Sequence, residues 1–225
     1  MADQLTNSNQ KSATAPRRRL RAVNREQQIV DEAVIFFAEK GFSGQTRELA
    51  ARLGITQPLL YRYFPTKRDL IETVFDEVYL NRESPDWLAL LTDRSRPLHD
   101  RLCDFYAAYS DMTYRYEWIR IFMFSALMGE QLNRRYTKLV EKKILTPMCN
   151  ELRHYCDQPG IDEKPISQLE LDHIWVLHGG LFYYAIRKHI YHGRVSKDFP
   201  AIVSRAVAVM LAGSKAISME SETNV

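Results

Sequence analysis

From Asn24 onward apolar residues recur at spacings of three and four, and no run alternates by two, so the chain reads as all-α. Ile29, Ala33, Phe36 and Phe37 fall on one helical face behind Asn24 and Gln27, which are spaced as a capping box, and this first helix stops at Gly41. A second, short helix carries Leu49, Ala50 and Leu53 and ends at Gly54, after which Ile55 fills the corner. Thr56 is a suitable N-cap and Pro58 is tolerated in a first turn, predicting a third helix over Gln57–Phe64 that Pro65 ends. Thr66 caps a fourth helix with Leu70, Val74 and Val78 on one face, and Asn81 to Pro85 reads as a joint.

Beyond the joint Pro97 opens a helix striped by Leu98, Leu102, Phe105, Tyr109, Met112 and Tyr116. Trp118 to Met128 is apolar nearly all round, as in a helix surrounded by others, and Gly129 terminates it. A long helix follows from Leu132 to about Tyr155, bent where Pro147 removes a backbone donor. After a loop over Asp157–Pro165, two last helices span about Gln168–His192 and Asp198–Ile217. The pattern predicts about nine helices in three parts: a disordered basic arm over 1–22, a three-helix helix-turn-helix head over 23–80, and a larger helical-bundle body over 81–225.

Charge sharpens this division. Residues 1–68 carry 12 Lys and Arg against 6 Asp and Glu, whereas the rest carry 19 against 22. A basic head on a mildly acidic body points to a polyanion partner for the head, nucleic acid first, although Arg17, Arg18, Arg19 and Arg21 alone supply four of those charges from the arm. Three cysteines, Cys103, Cys149 and Cys156, are too few for a disulfide framework and fit a reducing compartment. No uncharged apolar run reaches the ~18 residues of a spanning helix, and the polar start is no signal peptide, so a cytoplasmic protein is expected.

Residues 46–64, TRELAARLGITQPLLYRYF, have the anatomy of a helix-turn-helix. Leu49, Ala50, Leu53, Ile55, Leu60 and Phe64 suffice to pack the two helices, leaving Gln57, Pro58, Leu59, Tyr61 and Tyr63 for contacts with bases and phosphates. Through AVIFFAEKGF, LAARLGITQPLLYRYF and PTKRDL, the stretch from Arg25 to Val78 resembles the tetracycline-repressor (TetR) type of bacterial transcriptional regulator. The resemblance implies that the second and third helices read DNA, with Arg47, Gln57, Pro58 and Tyr61 at positions that touch bases or their backbone. It implies phosphate contacts for Thr56, Tyr63 and Lys67. It further implies a body that dimerises and holds an effector. One departure is visible: between Gly41 and Leu49 the chain is a residue shorter than usual, with no Thr at the customary cap.

Aromatic residues crowd the body, and such a stripe fits a packed core as well as a cavity. With the resemblance, an apolar or aromatic effector is expected, met by Tyr109, Tyr116, Arg120, Phe122, Phe124, Asn133, Trp175, His178 and Phe182. Ile202, Ala206, Val209 and Gly213 lie on one side of the last helix and Val203, Val207 and Met210 on another, which predicts a homodimer seam. The expected function is a repressor, not an enzyme, that holds a near-palindromic duplex and needs no cofactor or metal. Two other classes compete: an architectural DNA binder without an effector, and a metal-dependent enzyme using Asp172, His173, His178, His189 and His192. The second is disfavoured by spacing, because His173 and His178 face different directions and no HExxH occurs.

Overall fold

The computed structural model of the protein describes residues 14–80, 86–128 and 132–223, every one of its regular elements helical. The first thirteen residues of the expected arm, the joint at 81–85 and the terminator Gly129 lie outside the described residues. The chain divides after Glu77 into two compact units.

The first unit holds α1 (Thr14–Lys40), α2 (Thr46–Arg52), α3 (Gln57–Tyr63) and most of α4 (Lys67–Tyr79). Helix α1 begins at Thr14, ten residues before Asn24. Ala15, Arg17, Arg18, Arg19, Leu20 and Ala22 are good helix formers, and extending an existing helix adds a hydrogen bond for each residue fixed. Ile29, Ala33, Phe36 and Phe37 are fully buried, as the spacing predicts, and with Leu49, Leu60, Leu70 and Val74 they form the core of the head. Leu53 and Ile55 are only half-buried.

The turns are equally local in origin. Gly54 sits at φ 62°, where a residue without Cβ is at ease, and Ile55 N–H closes the turn on the Ala50 carbonyl at 3.0 Å. Gly44 is required by space instead, since a Cβ there would lie 2.7 Å from Cε1 of the buried Phe36 ring.

The second unit begins with the end of α4 and contains α5 (Trp87–Thr92), α6 (Leu98–Thr113), α7 (Tyr116–Leu127), α8 (Leu132–Val140), a π-helical turn (Glu141–Leu145), α9 (Thr146–Tyr155), α10 (Gln168–His189) and α11 (Phe199–Thr223). The short α5 has no counterpart in the predicted pattern. Asp86 caps it through the Ala89 N–H at 3.0 Å. Its place is fixed by Arg101, which donates to the Leu91 and Arg96 carbonyls and to Glu151 Oε2. Glu151 on α9 is 2% exposed and also takes Arg94 at 2.9 Å. Burial alone would raise its pKa, but hydrogen bonds from Arg94 and Arg101 hold the carboxyl below its ordinary value.

Where a bend is expected at Pro147, the helix has a π turn just before the proline. Pro147 cannot donate to the Lys143 carbonyl and its ring crowds that oxygen, so the wider turn lets α8 run on into α9. Two expectations fail. The α6 stripe stops at Thr113, and Tyr116 opens α7 with 36% exposure. Helix α7 is not surrounded either: Trp118, Ile119, Ile121 and Ser125 are buried, whereas Phe122 and Phe124 are half-buried and Leu127 is 80% exposed.

Helix α11 is buried on one side only. Val203, Val207, Met210 and Leu211 pack into the unit, while Val209 is 74% exposed and Gly213 faces open space. Phe199–Ser218 is long and apolar enough, by length and composition, to cross a membrane, yet Arg205 and Lys215 interrupt it and its inner face belongs to the core.

Candidate functional site

In the head the outward residues of α2 and α3 are those the core does not use. Arg47 and Pro58 are exposed, and Gln57, Leu59, Tyr61, Tyr63 and Lys67 are half-buried. The Thr56 side chain is exposed but occupied as the N-cap of α3, accepting from Leu59 N–H at 3.3 Å. Lys67 starts α4, whose cap is reciprocal: Thr66 Oγ1 accepts from Asp69 N–H and Asp69 Oδ2 accepts from Thr66 N–H. As the shortened loop suggests, α2 lacks a side-chain cap, and the Gln45 carbonyl takes the first N–H groups instead.

Gln57 and Tyr61 are not free on the surface. Gln57 Nε2 donates to Thr46 Oγ1 at 3.0 Å, and the Tyr61 hydroxyl lies 2.9 Å from the same oxygen. Thr46 is 5% exposed, and the sequence reading passed it over. Its signal was present: a polar side chain three and four residues before Leu49 and Ala50 falls on the buried face of α2. Arg52, the last residue of α2, is ion-paired with Glu39 at 2.8 Å and stacked 5.1 Å over the Phe36 ring.

The body residues expected at an effector separate into two groups. Tyr109, Phe122, His178 and Phe182 join one aromatic core, Tyr109 lying 5.1 Å from His178 and Phe122 lying 5.5 Å from Phe182. Tyr109 donates to or accepts from Tyr136 at 2.8 Å, Trp175 packs on His178 at 5.5 Å, and Asn133 Nδ2 donates to the Phe122 carbonyl at 3.0 Å. Tyr116, Arg120 and Phe124 instead form a cation–π stack along the outer face of α7, with Arg120 5.3 Å and 5.1 Å from the two rings. In this unit the polar atoms Trp87 Nε1, Tyr114 Oη, Ser125 Oγ, Asn133 Oδ1, His178 Nδ1 and Arg187 Nε are buried without a hydrogen-bond partner, and Trp87, Tyr114 and His178 all pack on Tyr109. Burial pushes the His178 pKa down to about 4, keeping the ring neutral.

The histidines of α10 do not converge. His173 meets Ser214 at 3.2 Å, His189 meets the Tyr114 carbonyl at 3.0 Å, and no three metal-binding side chains gather among the described residues. Two open grooves flank this helix. One, of about 510 Å³, lies between α9, α10 and α11 beside Cys149, Cys156, Leu169, Val176 and Ile217. The other, of about 600 Å³, runs between α10 and α11 past Gly180, Ala206 and Val209.

Comparison with known proteins agrees with this geometry. Residues 29–74 match the family described as bacterial regulatory proteins, tetR family. A protein from Mesorhizobium loti MAFF303099, assigned as a TetR-family transcriptional regulator, shares the fold with a TM-score of 0.54 at 16% identity, over 88% of this chain and 98% of that one. No curated protein matches the chain. The stretch that matches, the helix-turn-helix of α2 and α3 packed on α1 together with the start of α4, is thus a head of the tetR-family type, and the fold of the chain is that of a solved TetR-family regulator.

Proposed function

We propose that the protein is a homodimeric repressor that holds a near-palindromic operator in the cytoplasm through α2 and α3 of each copy, and that a small apolar or aromatic effector releases it. The observation that carries the DNA reading is the outward set Arg47, Gln57, Pro58, Leu59, Tyr61 and Tyr63, polar and aromatic groups that the core of the head leaves over, flanked by Thr56 and Lys67. Such a surface at the start of a recognition helix suits base edges, with hydroxyls and a cation at its margins for phosphates. Selection from randomised duplexes tests it. Two symmetric half-sites should be enriched, and no enrichment over background would overturn the reading.

The homodimer is supported by the outer face of α10 and α11. Leu169, Val176, Val209 and Ile217 are 59–80% exposed, an apolar strip that a lone protomer leaves in water. Gly180 and Gly213 have open space above them, so a partner helix can approach closely. The effector reading is supported by Trp87 Nε1, Tyr114 Oη and His178 Nδ1, which lie among the packed aromatic rings without a hydrogen-bond partner, because buried polar groups are nearly always satisfied. They favour an uncharged ligand with its own donors and acceptors. In this scheme the ligand alters the spacing of the two reading heads, with α4 as the covalent link within each copy.

A further inference from the structure

We propose that Thr46 is a positioning residue of the DNA reader, whose buried hydroxyl fixes Gln57 and Tyr61 so that Gln57 selects adenine at one position of each half-site. This rests on the reading that Gln57 faces a base. Residues 57 and 61 stand one turn apart on the same side of α3, and both reach the single oxygen of Thr46 across the turn, at 3.0 and 2.9 Å. A threonine within a helix commonly satisfies its hydroxyl on the carbonyl four residues back. Thr46 is the first residue of α2 and has no preceding helical turn, so its hydroxyl is left for α3.

The bond partners set what each reader can offer. Gln57 donates one N–H to Thr46, which leaves its second N–H and Oε1, the adjacent donor and acceptor that pair with N7 and the N6 amino group of adenine in the major groove. Since the Thr46 oxygen already accepts from Gln57, its own proton can pass to the Tyr61 oxygen, and the phenol proton is then free for a phosphate or base. A half-exposed glutamine would otherwise surrender its rotamer freedom on binding. Held by a residue that is 95% buried, it surrenders less, and the amide is presented in one sense.

The test is a randomised-duplex selection with the full chain, comparing the unmodified protein with Thr46→Val, Thr46→Ser and Gln57→Ala, and recording Tm for each. Valine keeps the shape and removes the hydroxyl, and serine restores it. The expected result is an adenine preference at one position of each half-site that Gln57→Ala abolishes. Thr46→Val should reduce it about tenfold at that position alone with Tm unchanged, and Thr46→Ser should retain it. An unaltered profile for Thr46→Val, or a uniform weakening at all positions together with a lower Tm, would overturn the proposal. If Gln57→Ala left the profile intact, Gln57 would not be the reader and the proposal would fall with it. If the unmodified chain enriched nothing, operator binding itself would fall, an outcome distinct from the others.

Discussion

Gly44 illustrates how much one atom decides. A Cβ there would meet Phe36 Cε1 at 2.7 Å, Phe36 Cζ at 2.8 Å and Lys40 Cβ at 3.1 Å, and Phe36 is fully buried, so the ring cannot simply swing away. Gly44→Ala should cost about 1 to 3 kcal/mol, the range of an overpacked core, read as a lower urea midpoint for the head with the body unaffected. His178 makes the corresponding argument for charge. Burial holds its pKa near 4, below the ordinary 6.5, so between those values the unfolded chain binds the proton more readily than the folded one. Its contribution is complete above pH ~6.5 and is lost as pH falls through ~4, about 3 kcal/mol in all at 1.36 kcal/mol per unit. His178→Leu should flatten that part of the stability curve, measured by urea unfolding at pH 7 and pH 5. An equal slope in both proteins would show that His178 is hydrated and not shielded. Neither residue announced its role in the sequence: the importance of Gly44 depends on where the Phe36 ring lies, and that of His178 on the absence of a partner.

Among the elements, those made by their own residues were legible and those made by neighbours were not. Helices α2 and α3 follow from Gly54, Thr56 and the spacing of Leu49, Ala50 and Leu60, and the π turn before α9 follows from Pro147. Helix α5 escaped because six residues with one buried position, Leu91, carry no period, and what fixes it is an arginine ten residues on. The outer half of α7 misled for the opposite reason. Composition alone cannot tell a helix packed on all sides from one whose apolar surplus faces outward, as Leu127 and Met128 do. The dependence of α5 on its neighbours can be tested. Glu151→Ala strands Arg101, which is 3% exposed, and removing one partner of a buried pair costs about 3 to 5 kcal/mol. Hydrogen exchange across Trp87–Thr92 should quicken well beyond that in α6, whereas equal protection in variant and unmodified protein would mean that α5 is held by its apolar contacts.

For the whole molecule the decisive quantity is coupling between sites that no single element contains. Association comes first: Val209→Glu places a charge without a partner in the apolar strip of α10 and α11, and light scattering should then report monomer or aggregate where the unmodified chain reports a dimer. A 26.3 kDa particle from the unmodified chain at micromolar concentration would remove the seam from the scheme. Release adds a quantitative demand. Moving the protein from 99% bound to 99% released takes roughly 5.5 kcal/mol of differential binding, which two effector sites in a dimer could divide at ~3 kcal/mol each. Linkage makes the demand reciprocal, so an effector that weakens operator binding by some factor must itself bind the operator complex more weakly by that factor. A thermal-shift screen of uncharged aromatic and apolar compounds should therefore yield stabilising ligands whose affinity drops when operator is present, followed by fluorescence anisotropy to record release. Ligands that stabilise the free and the DNA-bound protein equally would bind without switching, and if all behaved so the protein would be an effector-independent architectural binder whose core polar atoms are satisfied by water.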